Sequence, residues 1–137
     1  MERIILIETS TALCSAALAE NGAITAYKES SAPKAHASLT AVFIQDMLAE
    51  RGITLADCDA VCVSKGPGSY TGLRVGVSTA KGLCFGSQKP LLAVGTLDTL
   101  VAQAAKFFFI VGNVVLFPFF PALVIWVTSD VFIPNFF

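Results

Sequence analysis

Residues 65 to 74 read KGPGSYTGLR, and their types and spacing suit the holding of an anion. Gly66 and Gly68 let the backbone take positive φ and approach a partner closely, while Pro67 stiffens the turn between them. A strand, a glycine turn and a helix start would aim free N–H groups and the positive helix end at one spot. Ser69 and Thr71 could add hydroxyl donors, and Arg74 a guanidinium one turn along. The loop has neither the lysine spacing of a Walker loop nor the GxGxxG pattern. Two readings therefore stand: a phosphate-like loop built from Gly66, Pro67, Gly68, Ser69, Thr71 and Arg74, or a tight strand-to-helix connection with Ser69 as N-cap.

The run after the loop carries Gly72, Gly76, Ala80 and Gly82. A helix-interior glycine costs about 1 kcal/mol against alanine, so a close approach by another backbone is expected to offset it. Leu73 and Val77 border the same strip, which either packs on the domain's own sheet or receives a partner. His36 is the lone histidine and has no neighbours at metal-ligand spacing. Glu8 closes the first apolar run with no second carboxylate in an obvious place, which points to a hydrogen-bonded structural role. No Ser/His/Asp or Cys/His set assembles, so neither catalytic nor metal-ligating residues are assigned.

The elements that would position these residues follow from periodicity. Ile4 to Ile7 is a continuous apolar run, as in a strand buried on both faces. Leu13 to Ala19 and Ala23 to Lys28 flank Asn21-Gly22, a strong hairpin signal. From Lys34 the period lengthens: Leu39, Val42, Phe43, Met47 and Leu48 recur at helical spacing, Ile44 widens the apolar face beyond what one sheet contact needs, and Gly52 supplies a left-handed stop. Thr54 to Asp57 resembles a capping box. Ala60 to Val63 forms a strand ahead of the loop, and a helical run reaches Phe85 with Gly86 as its stop. Leu91 to Val94 is a fifth strand, and Thr96 is placed to cap a helix over Leu97 to Ala105. The order is βββαβαβα, an α/β fold with a mixed sheet and a hairpin meander at its front.

Composition bounds the partners. The 137 residues suffice for one core, and a formal net charge of −1 shows no basic excess of the kind an independent nucleic-acid binder carries. Cys14, Cys58, Cys62 and Cys84 are scattered in apolar surroundings and read as reduced core residues of a cytoplasmic protein. The apolar run before Glu8 is too brief for a signal peptide.

The stretches ILIETSTALCSAAL and HASLTAVFIQDMLAERGITLADCDAVCVSKGPGSYTGLRVGVSTAKGLCFGSQKPLLAVGTLDTLVAQA resemble the amino-terminal half of the TsaB family, also called YeaZ. The resemblance covers about residues 1 to 105 and implies an actin-like ATPase or ribonuclease H-like lobe. It implies a non-catalytic cytoplasmic subunit of the complex that makes N6-threonylcarbamoyladenosine at position 37 of tRNA. In such a complex a TsaD-like subunit holds the metal and transfers the group, and a TsaE-like ATPase joins at the shared surface. ATP and metal thus belong to the complex rather than to this chain, tRNA is reached only through the complex, and no membrane is involved. The family's dimer surface corresponds to about residues 36–51 and 70–86. That assigns Leu39, Phe43, Met47, Gly72, Leu73, Gly76, Val77 and Ala80 to partner binding, with a homodimer through the same helices as a variant. The catalytic relatives carry two histidines where this chain reads HASLT. The family's first strand usually ends in Asp-Thr, here Glu8-Thr9, at a place where actin-like and kinase-like ATPases also carry an acidic residue. The competing function is a phosphate- or metal-binding enzyme of kinase-like or glycoprotease-like type.

Composition breaks at Lys106. Nine of the eleven phenylalanines lie beyond it, and Asp130 is the one charge there. Three readings apply to this end: a frame-shifted or misassigned stretch, buried strands at Phe107 to Val111 and Val114 to Phe117 about Gly112-Asn113, or a membrane anchor over Phe107 to Val127 interrupted by Pro118 and Pro121. An anchor would make the chain a membrane-tethered module.

Overall fold

The computed structural model describes the backbone of residues 1–32 and 34–111, and side chains through 102 and at 104. Five strands form one mixed sheet: β1 (Arg3–Glu8), β2 (Cys14–Glu20), β3 (Ala23–Ser30), β4 (Ala60–Gly66) and β5 (Leu91–Gly95). Their spatial order is β3-β2-β1-β4-β5. The β1–β2 and β2–β3 pairs are antiparallel, while β1–β4 and β4–β5 are parallel. Three helices complete the fold: α1 (Ala35–Glu50), α2 (Tyr70–Ser87) and α3 (Thr96–Val111). Among the described residues no helix is long and apolar enough to cross a membrane.

The side-chain alternation of the strands builds two apolar layers. Ile5, Ile7, Ala16, Leu18, Val61 and Val63 face Ile44, Met47 and Leu48 of α1 and Ala80 and Cys84 of α2. Ile4, Leu6, Ala17, Ala19, Cys62 and Val94 form the opposite layer. Ile5, Leu18 and Val61 are fully buried, each contributing about 1.5–3 kcal/mol relative to exposure. The Ile4–Ile7 run of β1 and the Ala60–Val63 run of β4 are continuously apolar because they lie mid-sheet with both faces covered.

Local signals account for most boundaries. Asn21 and Gly22 adopt φ 49° and 83°, closing the β2–β3 hairpin. Gly52 ends α1 at φ 66°. A 3-10 turn follows over Leu55–Asp57, and the Thr54 N–H donates to Asp57 Oδ2 at 2.8 Å, so the capping interaction read from sequence forms. Glu20, nearly buried, accepts from Arg3 Nε at 2.8 Å and Arg51 Nη2 at 2.6 Å, tying β1, β2 and the end of α1 together.

Three boundary expectations are corrected. Gly86 does not stop α2; Gln88 does, at φ 58°, its N–H reaching the Cys84 carbonyl. Thr96 does not cap α3 but begins it, buried, with its hydroxyl unpartnered among the described residues. Phe107 to Val111 is not a strand, since α3 runs through it. The composition break at Lys106 therefore falls inside a helix. The second strand of that hairpin, Val114 to Phe117, lies outside the described residues, as does most of the apolar stretch that could form an anchor.

Candidate functional site

The loop lies at the carboxyl end of β4, beside the carboxyl end of β1, the edge where open α/β sheets receive ligands. Glu8 ends β1 with its side chain buried. Its Oε1 accepts the Ser10 N–H at 2.9 Å, and its Oε2 accepts the Ser64 hydroxyl of β4. One carboxylate thus bridges the turn after β1 and the neighbouring strand. Burial, with the neighbouring Glu8 carboxylate adding to it, pushes the Cys62 thiol up to about 12, so that sulfur stays protonated near neutral pH.

Two of the loop amides are committed inside the lobe. The Ser69 N–H donates to the Ser10 carbonyl at 2.7 Å, and the Gly72 N–H donates to Ser69 Oγ at 3.2 Å. Ser69 is thus the N-cap of α2, and its hydroxyl serves the helix. Gly66 sits at φ 112°, which explains glycine there, and the Gly66–Pro67 peptide is cis. A Cβ on Gly68 would come within 2.5 Å of the Ser10 carbonyl oxygen, so the turn lies directly on the β1 end.

Beside the turn lies an open groove of about 590 Å³. Gly66, Pro67, Gly68 and Arg74 line it as the sequence placed them; Ser69 and Thr71 do not. Sequence reasoning missed Lys65, Tyr70, Ser78 and Lys81, which also line it. The available signal was helical spacing, since positions 70, 74 and 81 fall on one face of α2. The Arg74 guanidinium lies 5.4 Å from the centroid of the Tyr70 ring.

The glycine strip of α2 packs inward. A Cβ on Gly72 would overlap the Thr9 carbonyl oxygen, and one on Gly76 would overlap Thr9 Oγ1. The close approach inferred from these glycines is made to the end of β1 in the same lobe. Met47 and Ala80 are likewise buried in the core, at 1% and 0% exposure. Met47, Gly72, Gly76 and Ala80 are therefore spent internally. Leu39, Phe43, Leu73 and Val77 remain half-buried, and Val42, Tyr70 and Phe85 are exposed. The wide apolar face of α1 thus divides: Ile44, Met47 and Leu48 enter the core while Leu39, Val42 and Phe43 keep outward surface.

His36 opens α1, and its Nε2 lies 2.8 Å from the Thr11 carbonyl oxygen. One turn on stands Thr40, buried, whose hydroxyl donates to the His36 carbonyl at 2.6 Å. Among the described residues no three His, Cys, Asp or Glu side chains gather as a metal site would require.

This sheet order with its flanking helices is that of the ribonuclease H-like and actin-like class. RuvC of Thermus thermophilus in complex with a Holliday junction superposes with TM-score 0.58 over 99% of this chain and 96% of its own, at 12% identity, a likeness of fold alone. A family model described as TsaD, tRNA N6-adenosine threonylcarbamoyltransferase, matches residues 28–119. The chain belongs to that family and, within it, to the TsaB or YeaZ proteins. It is 40% identical over 103 residues to the tRNA threonylcarbamoyladenosine biosynthesis protein TsaB of Escherichia coli K12, covering 75% of this chain and 44% of that protein. YeaZ from Pseudomonas aeruginosa superposes with TM-score 0.71 at 34% identity, covering 77% of this chain and 49% of its own. The chain spans about half the length of the curated TsaB relatives it matches.

Proposed function

We propose that this chain is a non-catalytic partner subunit of the complex that forms N6-threonylcarbamoyladenosine at position 37 of tRNA, docking on a TsaD-like catalytic subunit. The observation that carries the reading is the outward apolar surface left on α1 and α2, around Leu39, Val42, Phe43, Leu73 and Val77, in a chain of this family. Apolar side chains left half-covered on two adjacent helices supply the kind of desolvated centre that dominates an interface. The His36 ring engaged by Thr11, with Thr40 one turn on, supports placing the metal chemistry on the partner. In this assembly a TsaE-like ATPase joins at the shared surface, and nucleotide and metal belong to the complex. Two copies pair through the same helices when the catalytic subunit is absent. Here tRNA is reached only through the complex, and the assembly is cytoplasmic.

The test is association with a TsaD-type subunit, measured by calorimetry. Leu73→Asp and Val77→Asp are expected to weaken it at least about 30-fold, the effect of losing a central contact. Because Val77 also touches the core, Val42→Asp, at a 43% exposed position, is the variant that keeps the fold. Wild-type affinity in all three variants refutes the docking face.

A further inference from the structure

The second apolar layer of the sheet is dry, yet no helix accounts for its dryness among the described residues. Ile4 and Leu6 of β1, Cys62 of β4 and Val94 of β5 are at most 7% exposed. Their described apolar neighbours all belong to strands, with Ile24, Tyr27 and Leu92 at the rim. Side chains on one face stand beside one another on strands about 4.8 Å apart, so their tips stay wet unless another layer lies about 10 Å above. Neither α1 nor α2 supplies that layer, because Ile44, Met47, Leu48, Ala80 and Cys84 all enter the first one. The α3 helix meets β4 and β5, but its described buried residues are Thr96 and Thr99, while Leu97, Leu100 and Val101 are 56%, 39% and 68% exposed. The dryness is that of a single chain, so the cover belongs to the chain itself.

We propose that residues 112–137 lie across this second face and complete the core of the lobe. The segment carries one charge, Asp130, and holds Trp126, the single tryptophan. It follows α3, which itself follows β5, an edge strand of the sheet. Five strands are roughly 20 Å across, and a chain of this length spans roughly 80 Å when extended, enough to cross and return. Pro118, Pro121 and Pro134 would break a bilayer-spanning helix but suit an irregular apolar layer. A second copy carries the same segment, but a tethered one is present at an effective concentration on the order of millimolar. The docking helices α1 and α2 lie over the other face, so this inference stands apart from the subunit reading.

Trp126 reports on the segment directly. Acrylamide quenching of its fluorescence is measured on the full chain over a range of chain concentrations. The expected result is quenching severalfold weaker than that of N-acetyltryptophanamide and equal at every concentration. Leu92→Asp on β5 and Ile24→Lys on β3, half-buried at the two edges of this face, should each raise the quenching severalfold while far-ultraviolet circular dichroism is retained. Val101→Lys and Phe85→Lys, at exposed positions on α3 and α2, should leave it unchanged. Trp126 quenched as freely as N-acetyltryptophanamide overturns the proposal, as does quenching that neither edge variant moves. Shielding that responds to Val101→Lys instead places the segment on α3, shielding lost on dilution assigns it to a second copy, and shielding gained only with phosphatidylcholine vesicles assigns it to a bilayer; each of these also overturns it.

Discussion

Replacing Gly76 by alanine isolates the close approach between α2 and the end of β1. In an open helix position the change stabilises by about 0.5–1 kcal/mol. Gly82 is such a position, since a methyl added there would meet nothing within 4 Å. At Gly76 the methyl would overlap Thr9 Oγ1, on a residue of 0% exposure with nowhere to move. Overpacking of this kind costs about 1–3 kcal/mol, so the net effect is a loss of about 1–2 kcal/mol. At Gly72 the obstacle is the Thr9 carbonyl, which is backbone, and the loss should be larger still. Urea unfolding followed by far-ultraviolet circular dichroism reads the difference. With a slope of about 2 kcal/mol/M, Gly76→Ala lowers the midpoint by about 0.5–1 M while Gly82→Ala raises it slightly. Thr9→Ala removes the clashing hydroxyl, which is buried without a partner among the described residues, and should restore most of the Gly76→Ala loss. The coupling expected from that double-mutant cycle is about 1–2 kcal/mol. Equal midpoints for Gly76→Ala and Gly82→Ala would refute the packing argument.

Two further outcomes follow from buried carboxylates. The hydrogen bond from Arg3, with Arg51 on the other carboxylate oxygen, holds the Glu20 carboxyl down at about 2, below its ordinary value. Its contribution is therefore complete above the unfolded value of about 4.5 and is lost as pH falls from there toward 2; Glu20→Gln should flatten the acid limb of a stability–pH curve, and an unchanged limb would contradict the ion-pair assignment. Glu8→Ala strands the Ser10 N–H and the Ser64 hydroxyl in a buried site, at about 1–3 kcal/mol each. Thermal unfolding should show a drop of many degrees, and a drop of a degree or less would remove the bridging role of Glu8.

What the sequence by itself determined was whatever depends on near neighbours. Strand and helix periods, the positive-φ turn at Asn21-Gly22, the stop at Gly52 and the Ser69 cap are each set within a few residues. The βββαβαβα order could be read for the same reason. Glu8 could be assigned a hydrogen-bonded role, but its partner Ser64 lies 56 residues away and becomes visible only when β1 pairs with β4. Tertiary structure alone decided which small residues are spent internally. A glycine at four-residue spacing signals a close approach without naming the visitor, and here the visitor is Thr9 of the same lobe. Periodicity likewise gathered Leu39, Phe43 and Met47 on one face of α1, but sheet contact took Met47 into the core and left the other two half-covered. The groove arose in the same way. Helical spacing aligns Tyr70, Arg74 and Lys81 on α2, but Lys65 reaches them from the end of β4 where the turn folds back onto Ser10, a contact between distant segments that no local pattern encodes.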